Sequence, residues 1–472
     1  MNENFKNFIY SFTLTASNLI FSFITYPYVS RVLGVKNIGT CDYVDSIINY
    51  FVLLSTLGLG SYGIREIAKC KDDKAECSRV FSSLLVINMV MCIVAVCTLI
   101  ACVTFIESLS SYKDFLYIGI LKLVFNVFLI EWFYEGTSNF RYITIRSLSV
   151  KIVYATCVFS LVREQGDVLL YYLLTVCTII VNALFNFAHS RKFVRFQLSK
   201  LSIRLLLLPI LSFGVYRILS SLYNTFSTFY LGTITDSTQV GFFSTATKLY
   251  GILIMVFTAL TTVLVPKVSE LVGKKQQAAL QEIANKTFDV IFILTLPVII
   301  FCCFFAPQII RLIAGPGYEG AILPFKIVIF LLFISAMQQV VVQQFLLAAQ
   351  NSKSVLTLST VGAISAVLLN MLFVPIYQCV GASVSLILSQ LLVLLCGLYY
   401  FRHLMKLEVP YARMFRYLLA SLPYALIGIM FQSDILSWRL AIPIALYMAW
   451  FFILNVGVIK TPILIGLFRR NR

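Results

Sequence analysis

Arg217 and Lys248 stand inside stretches that otherwise read as membrane helix. The segment holding them, RILSSLYNTFSTFYLGTITDSTQVGFFSTATKLY, contains the end of one apolar run, a polar turn at Thr233–Gln239 and the start of the next. From Arg217 to the turn is about 15 residues, roughly 22 Å of helix, and Lys248 lies about 8 residues, roughly 12 Å, beyond it. Both therefore fall within a hydrocarbon layer about 30 Å thick. A bare cation there costs at least ~2.5–3.5 kcal/mol, so each must face protein, water or an anion. Three further cations lie inside apolar runs: Lys122, Lys151 and Lys326. Asp42, Asp45, Glu131, Glu135 and Asp289 are the acids at or near membrane depth.

A long Lys or Arg can snorkel to the interface or pair with an acid for packing. That suits Lys326, about four residues from its helix start, and Lys151. It fits Lys122, Arg217 and Lys248 poorly, because these are nearer mid-helix, and a water-filled, substrate-facing site is expected around them. Glu131, beside Trp132, reads equally as a boundary anchor and as a functional carboxylate. The N-terminal stretch YPYVSRVLGVKNIGTCDYVDSIINY repeats the pattern around Arg217. Leu33-Gly34 stands against Leu231-Gly232, Gly39 against Gly241, and Asp45 beside the position of Lys248.

The elements that must position these charges follow from composition. The chain has 472 residues, 60% hydrophobic and only 12% charged, with a mean hydropathy of +0.91. A soluble protein carries about 25% charged residues, so a polytopic all-α membrane protein is expected. Fourteen helices are read at 8–29, 41–63, 80–105, 114–135, 143–162, 168–189, 204–231, 240–265, 287–306, 321–348, 355–375, 380–402, 414–431 and 440–459. The first run is too long for a signal-peptide core and ends in Tyr-Pro-Tyr, so it is expected to remain as a helix. Pro27, and Pro209 with Gly214 before Arg217, mark expected bends at matching places in two halves, as at transport pathways built from repeats. The connection SELVGKKQQAALQEIANK reads as a short amphipathic surface helix.

Loop charge orients the helices. One alternate set of loops carries 26 of the 37 Lys and Arg and the opposite set 6, which places both termini in the cytoplasm. The formal charge of +17 is thereby accounted for by an anionic inner leaflet, without nucleic acid. No polar stretch is long enough to fold as a soluble domain. Gly58-Leu59-Gly60-Ser61-Tyr62-Gly63 matches GxGxxG formally, but it closes a membrane helix and lacks the strand that a dinucleotide site requires. Neither GxxxxGK[ST] nor HExxH is present. The 12 cysteines form no CxxC pair and read as helix-packing residues, and His189 and His403 sit at cytoplasmic helix ends. No cofactor, metal or enzyme activity is expected.

Several stretches resemble the bacterial polysaccharide (O-antigen-type) flippases of the multidrug/oligosaccharidyl-lipid/polysaccharide exporter superfamily. They are PYVSRVLGVKNIG, LGLGSYGIREIAK, FNVFLIEWFYEGTSNFRYITIR, GFFSTATKLY, VLVPKVSE, AGPGYEGAILPFKIV and the long run from Ala348 to Gln390 that contains NMLFVPIYQCVGAS. They occur in order over roughly residues 10–400; Cys379 departs from the pattern, where a Gly commonly follows the Tyr. The resemblance implies two six-helix bundles around a central cavity, at 1–200 and 201–405, followed by two extra helices and a basic tail at 406–472. It implies alternating access that carries an undecaprenyl-diphosphate-linked oligosaccharide from the inner to the outer leaflet of the bacterial cytoplasmic membrane. A polysaccharide polymerase and export machinery are the further partners it suggests, beside membrane lipids.

A diphosphate cannot cross hydrocarbon unaided, and Arg can bind phosphate through two parallel hydrogen bonds. Arg217 and Lys248 are the expected diphosphate or acidic-sugar contacts, with Arg31 and Lys122 as secondary members. Asp45 is the expected partner that releases those cations between cycles. Tyr223, Asn224 and Tyr230 offer polar and aromatic walls for the sugar. A lipid II flippase would use similar cations. A cation-coupled multidrug exporter would favour acids and aromatics, and a sugar polymerase or ligase would show a large periplasmic loop.

Overall fold

The computed structural model describes residues 3–197, 201, 203–349, 352–431, 446, 447 and 450. Among them the chain is helical almost throughout and has no strand. Helices satisfy every backbone N–H and C=O within one segment, which hydrocarbon demands. Nine stretches of the described residues are long and apolar enough to cross a membrane. Two of these, Ile20–Cys70 and Lys353–His403, run for 51 residues each. An unbroken helix of that length would span about 76 Å, more than twice the hydrocarbon layer. Each is instead interrupted. The protein is a multi-pass, all-α membrane protein.

The chain divides into two units, Met1–Gly241 and Phe242–Arg472. In the first, α1 (Glu3–Thr56) breaks at Gly34, whose φ of 77° is open to glycine. The gap between the helices expected at 8–29 and 41–63 is therefore a single-residue break between helical arms at 3–33 and 35–56. Asn37 compensates the interrupted ladder by donating from Nδ2 to the carbonyls of Leu33 and Gln165, each at 3.0 Å. A second interruption at Leu57, with φ 44°, separates α1 from α2 (Leu59–Cys70), so the helix expected over 41–63 is divided. The Asp73 carboxylate caps α3 (Lys74–Phe105) by accepting from the N–H groups of Ala75 and Glu76.

After the short α4 (Glu107–Ser110), the run expected as one helix over 114–135 is also broken. It forms α5 (Lys113–Asn126) and α6 (Glu131–Gly136), with Ile130 left-handed between them at φ 34°. Irregular backbone at membrane depth persists only where protein satisfies it. Asn186 does so, donating from Nδ2 to the Leu129 carbonyl, while the Tyr134 hydroxyl donates to the Asn186 carbonyl at 2.7 Å. Asn186 belongs to α8 (Val168–Ser190), which packs beside α7 (Phe140–Leu161). Then α9 (Ile203–Ile234) packs on α1, α2 and α3, and α10 (Ser237–Gly273) leads into the second unit. Pro27 and Pro209 lie inside α1 and α9, whereas the left-handed breaks of this unit fall elsewhere.

Glycines let α1 meet the α9–α10 turn backbone to backbone. A Cβ on Gly39 would lie 1.7 Å from the Ser237 carbonyl oxygen, and one on Gly241 would lie 2.3 Å from that of Val35. Gly232 likewise leaves room for the Tyr43 ring, which would come within 2.1 Å of an added Cβ. Small residues at such crossings gain dispersion contact that larger ones forbid.

The second unit continues with α11 (Gln277–Phe304), α12 (Ala306–Ile313), α13 (Ile322–Val328) and α14 (Leu331–Gln338), the last running into a π-helical segment, Gln339–Leu346. Only residues 274–276 separate α10 from α11, so the surface helix expected in that connection is absent: its residues extend the two long helices. Glu270 at the end of α10 accepts from Lys274 at 2.6 Å and Lys267 at 3.3 Å, and these bonds hold its carboxyl below the usual range. In α15 (Ser352–His403) the break is at Gln378, φ 50°, between the helices expected at 355–375 and 380–402. A Cβ on Gly381 would stand 2.2 Å from the Phe373 carbonyl oxygen, which is why the return in NMLFVPIYQCVGAS needs a glycine there. The described part ends with α16 (Tyr411–Ala420) and α17 (Leu422–Phe431). Apart from residues 446, 447 and 450, the helix expected at 440–459 lies outside the described residues.

Candidate functional site

Asp45 and Asn49 occupy positions i and i+4 of the second arm of α1, on one face. Asp45 is about 11 residues past the Gly34 break, roughly 16 Å along the helix, and Lys122 about 14 Å into α5. The ammonium of Lys122 meets Asp45 Oδ1 at 2.5 Å and Asn49 Oδ1 at 3.0 Å. Asn49 Nδ2 donates in turn to Asp45 Oδ2 at 3.2 Å, closing a three-membered network. The Lys122 side chain is 13% exposed and that of Asp45 39%. The cation is thus sheltered while its acid remains partly open.

Polar groups continue from this network onto α9. Tyr50, next to Asn49, accepts at its hydroxyl from Thr225 Oγ1 at 3.3 Å and packs edge-on against Phe229. Asn224 is exposed and donates from Nδ2 to the Ser220 carbonyl at 2.7 Å; Tyr223 and Tyr230 are half-buried, the latter stacked on Phe226. Arg217 is exposed two turns before Asn224, on the same helix face. Among the described residues no acid forms an ion pair with Arg217. The exposed polar residues Asn49, Arg217, Asn224 and Thr225 all lie within long apolar helices. Such residues face water or bundle interior in membrane proteins, not lipid.

Of the residues singled out in sequence, Lys122 and Asp45 are in direct contact, and Asn49, which was not singled out, completes their network. Its i, i+4 relation to Asp45 inside the apolar run DSIINY was a readable signal. Arg31 is exposed on the other arm of α1, before the Gly34 break. Lys248 is half-buried on α10 in the second unit. Close to it in that unit, the Tyr250 hydroxyl donates to Ser335 Oγ at 2.8 Å. Gln339, the first residue of the π-helical segment, bonds Thr258 at 2.8 Å and Thr261 at 3.2 Å. Isolated π-helical turns within helices recur at functional sites.

Two of the 26 cations counted with the cytoplasmic loops, Arg146 and Arg413, lie on helices and pair with acids. Arg146 is buried on α7, its side chain only 5% exposed, and its Nη2 donates to Glu131 at 3.0 Å. Arg413 reaches from α16 to the buried Asp289 at 2.8 Å. Lys151 donates to Ser17 Oγ at 2.8 Å. Each pairing keeps a charge satisfied where burial would otherwise make it costly.

Residues 5–272 match the family model described as polysaccharide biosynthesis protein. The chain belongs to this family. A second model, MatE, matches residues 213–373 of the same family member. A candidate O-antigen transporter of Escherichia coli (strain K12) is 21% identical to it over 401 residues, covering 82% of this chain and 94% of that protein. Among solved structures, the lipid II flippase MurJ in an inward closed conformation superposes with a TM-score of 0.79 at 14% identity, over 96% of this chain and 99% of that one. An inward-facing multidrug resistance MATE family transporter of the MOP superfamily gives 0.66 at 17% identity, over 83% and 94%. At these identities the structural likeness shows a shared fold.

Proposed function

We propose that the protein carries a lipid-linked oligosaccharide, of the undecaprenyl-diphosphate type, from the cytoplasmic to the outer leaflet by alternating access, for assembly of a surface polysaccharide. The observation that carries this is the sheltered Lys122, held by a half-exposed Asp45 and an exposed Asn49 in mid-helix. A carboxylate in that position is replaceable: an incoming phosphate oxygen offers Lys122 the same charge-assisted bond. Arg217 supplies a planar fork for a phosphate, and Lys248, on α10, is proposed as a further anion contact. Asn224, Tyr223 and Tyr230 present hydrogen-bonding and aromatic surface to the sugar. The relative named for O-antigen supports this substrate class over a peptide-bearing lipid or a drug cation.

Both termini are proposed to be cytoplasmic, on the loop-charge asymmetry. Accessible-cysteine labelling should find Lys69–Lys74, Arg191–Lys200 and Lys274 inside, and Asp236 and Gly317 outside. The substrate proposal is tested by restoring surface polysaccharide in cells lacking this gene while membrane abundance is followed. Arg217→Ala and Lys248→Ala should accumulate normally and restore little polymer. Full export by both variants at normal abundance would remove these cations from the mechanism.

A further inference from the structure

A groove of about 540 Å³ opens where the N-terminal end of α7 meets the C-terminal end of α8. Its polar lining comprises Asn139, Arg141, Arg146, Ser149 and His189. Its apolar lining includes Ile145 and Phe185, which are 51% and 57% exposed. In a membrane protein an exposed apolar pair of this size meets acyl chains. The groove is therefore amphipathic in the sense of a lipid, with cations at one end and open apolar surface beside them.

Four features favour an anion at the polar end. Asn139 stands at the cap position of α7 without bonding its side chain to the first turn, so the leading N–H groups of a 22-residue helix keep their donor capacity and positive dipole end. Arg141 is exposed in that first turn. Arg146 is 93% buried by its 7% relative exposure, and its Nε–H has no hydrogen-bond partner. Glu131 occupies only the Nη2 side of that guanidinium, and the Asn182 carbonyl its Nη1. His189 is clamped flat on Tyr142, ring centroids 3.8 Å apart, with Nδ1 unpartnered. Beyond the groove Arg191 and Lys192 add positive charge, with Glu135 near Glu131 as the opposing acid.

We infer that this groove is a binding site for the headgroup of an anionic membrane phospholipid, whose phosphate meets Arg141 and the α7 N-terminus while an acyl chain lies along Ile145 and Phe185. A zwitterionic lipid fits the apolar part equally but gains less from the cations. The site lies wholly in the first unit, away from the Lys122–Asp45–Asn49 network, and does not depend on the transported substrate.

The test is lipid retention by the purified full-length protein, read by native mass spectrometry after exchange into phosphatidylglycerol or phosphatidylcholine with identical chains. Wild type should retain phosphatidylglycerol about fivefold more than phosphatidylcholine, the discrimination one interfacial arginine supplies. Arg141→Glu, a change at an exposed position, should abolish that preference, and Ser149→Trp should reduce retention of both lipids by filling the groove. Arg311→Glu, an exposed cation in the second unit, should change nothing. Equal retention of the two lipids by wild type, or an unchanged preference in Arg141→Glu, would overturn the site. Should Ser149→Trp misfold, the Arg141→Glu result decides alone.

Discussion

Arg146 and Lys122, two sheltered cations of the first unit, are held by acids in different ways. The Arg146 side chain is 5% exposed against a Glu131 side chain that is 40% exposed, and it also reaches the Asn182 carbonyl. Lys122 is 13% exposed against an Asp45 that is 39% exposed, and its other partner is the side chain of the exposed Asn49. One cation is tied partly to backbone beside a broken helix, where Asn186 and Tyr134 fix the local structure. The other is tied only to side chains that can turn away. The first arrangement resists exchange and serves the fold; the second permits exchange and serves an anion that comes and goes.

The largest effect should come from breaking the fixed pair on its acidic side. Glu131→Ala leaves a buried guanidinium with only a carbonyl partner, a loss of about 3 kcal/mol. Thermal unfolding in detergent and membrane abundance should both fall, and Glu131→Gln with Arg146→Met together should recover most of the loss. If Glu131→Ala leaves stability unchanged, the two pairs do not differ in the way described.

Breaking the exchangeable pair should separate folding from transport. Lys122→Ala leaves Asp45 open to water, so abundance should stay near wild type. Export should fall at least tenfold, roughly 1.4 kcal/mol of lost transition-state stabilisation. Asp45→Asn should also accumulate normally, because Lys122 keeps the Asn49 carbonyl as an acceptor. Degradation of Lys122→Ala, with rescue by Asp45→Asn in the same chain, would show a packing pair instead.

Arg217 offers a graded comparison at an exposed position. Arg217→Lys should keep more export than Arg217→Ala, since a point charge replaces a fork, and Arg217→Glu should keep least, by repelling the diphosphate. The smallest effect is expected for Thr225→Val. It removes one hydrogen bond to Tyr50, worth about 1 kcal/mol or less, and should alter export only severalfold. An Arg217→Glu variant as active as Arg217→Lys would contradict anion contact there.

The apolar runs, their approximate ends and the charge at mid-helix were legible because burying a charge or a backbone break in hydrocarbon leaves few alternatives. The return at Gln378–Gly381 lies where NMLFVPIYQCVGAS places it. Tertiary satisfaction of broken backbone was not legible. Asn37 spans the Gly34 break and Asn186 the one after Asn126, contacts across 128 and 57 residues of sequence. Those breaks need no proline, so Pro27 and Pro209 were misleading guides. Arg146 and Arg413 were misplaced for a related reason. Loop-charge counting treats a cation near a helix end as solvated, whereas Glu131 and Asp289 draw these two into protein.

The central claim is that cations inside the helices hold the diphosphate. Its most direct measurement is translocation of an undecaprenyl-diphosphate oligosaccharide in proteoliposomes, comparing wild type with Arg217→Ala at matched protein content and equal thermal stability. Wild type should move the lipid across the bilayer, and Arg217→Ala should do so at least tenfold more slowly, a barrier increase of about 1.4 kcal/mol. Equal rates for the two proteins would contradict the claim.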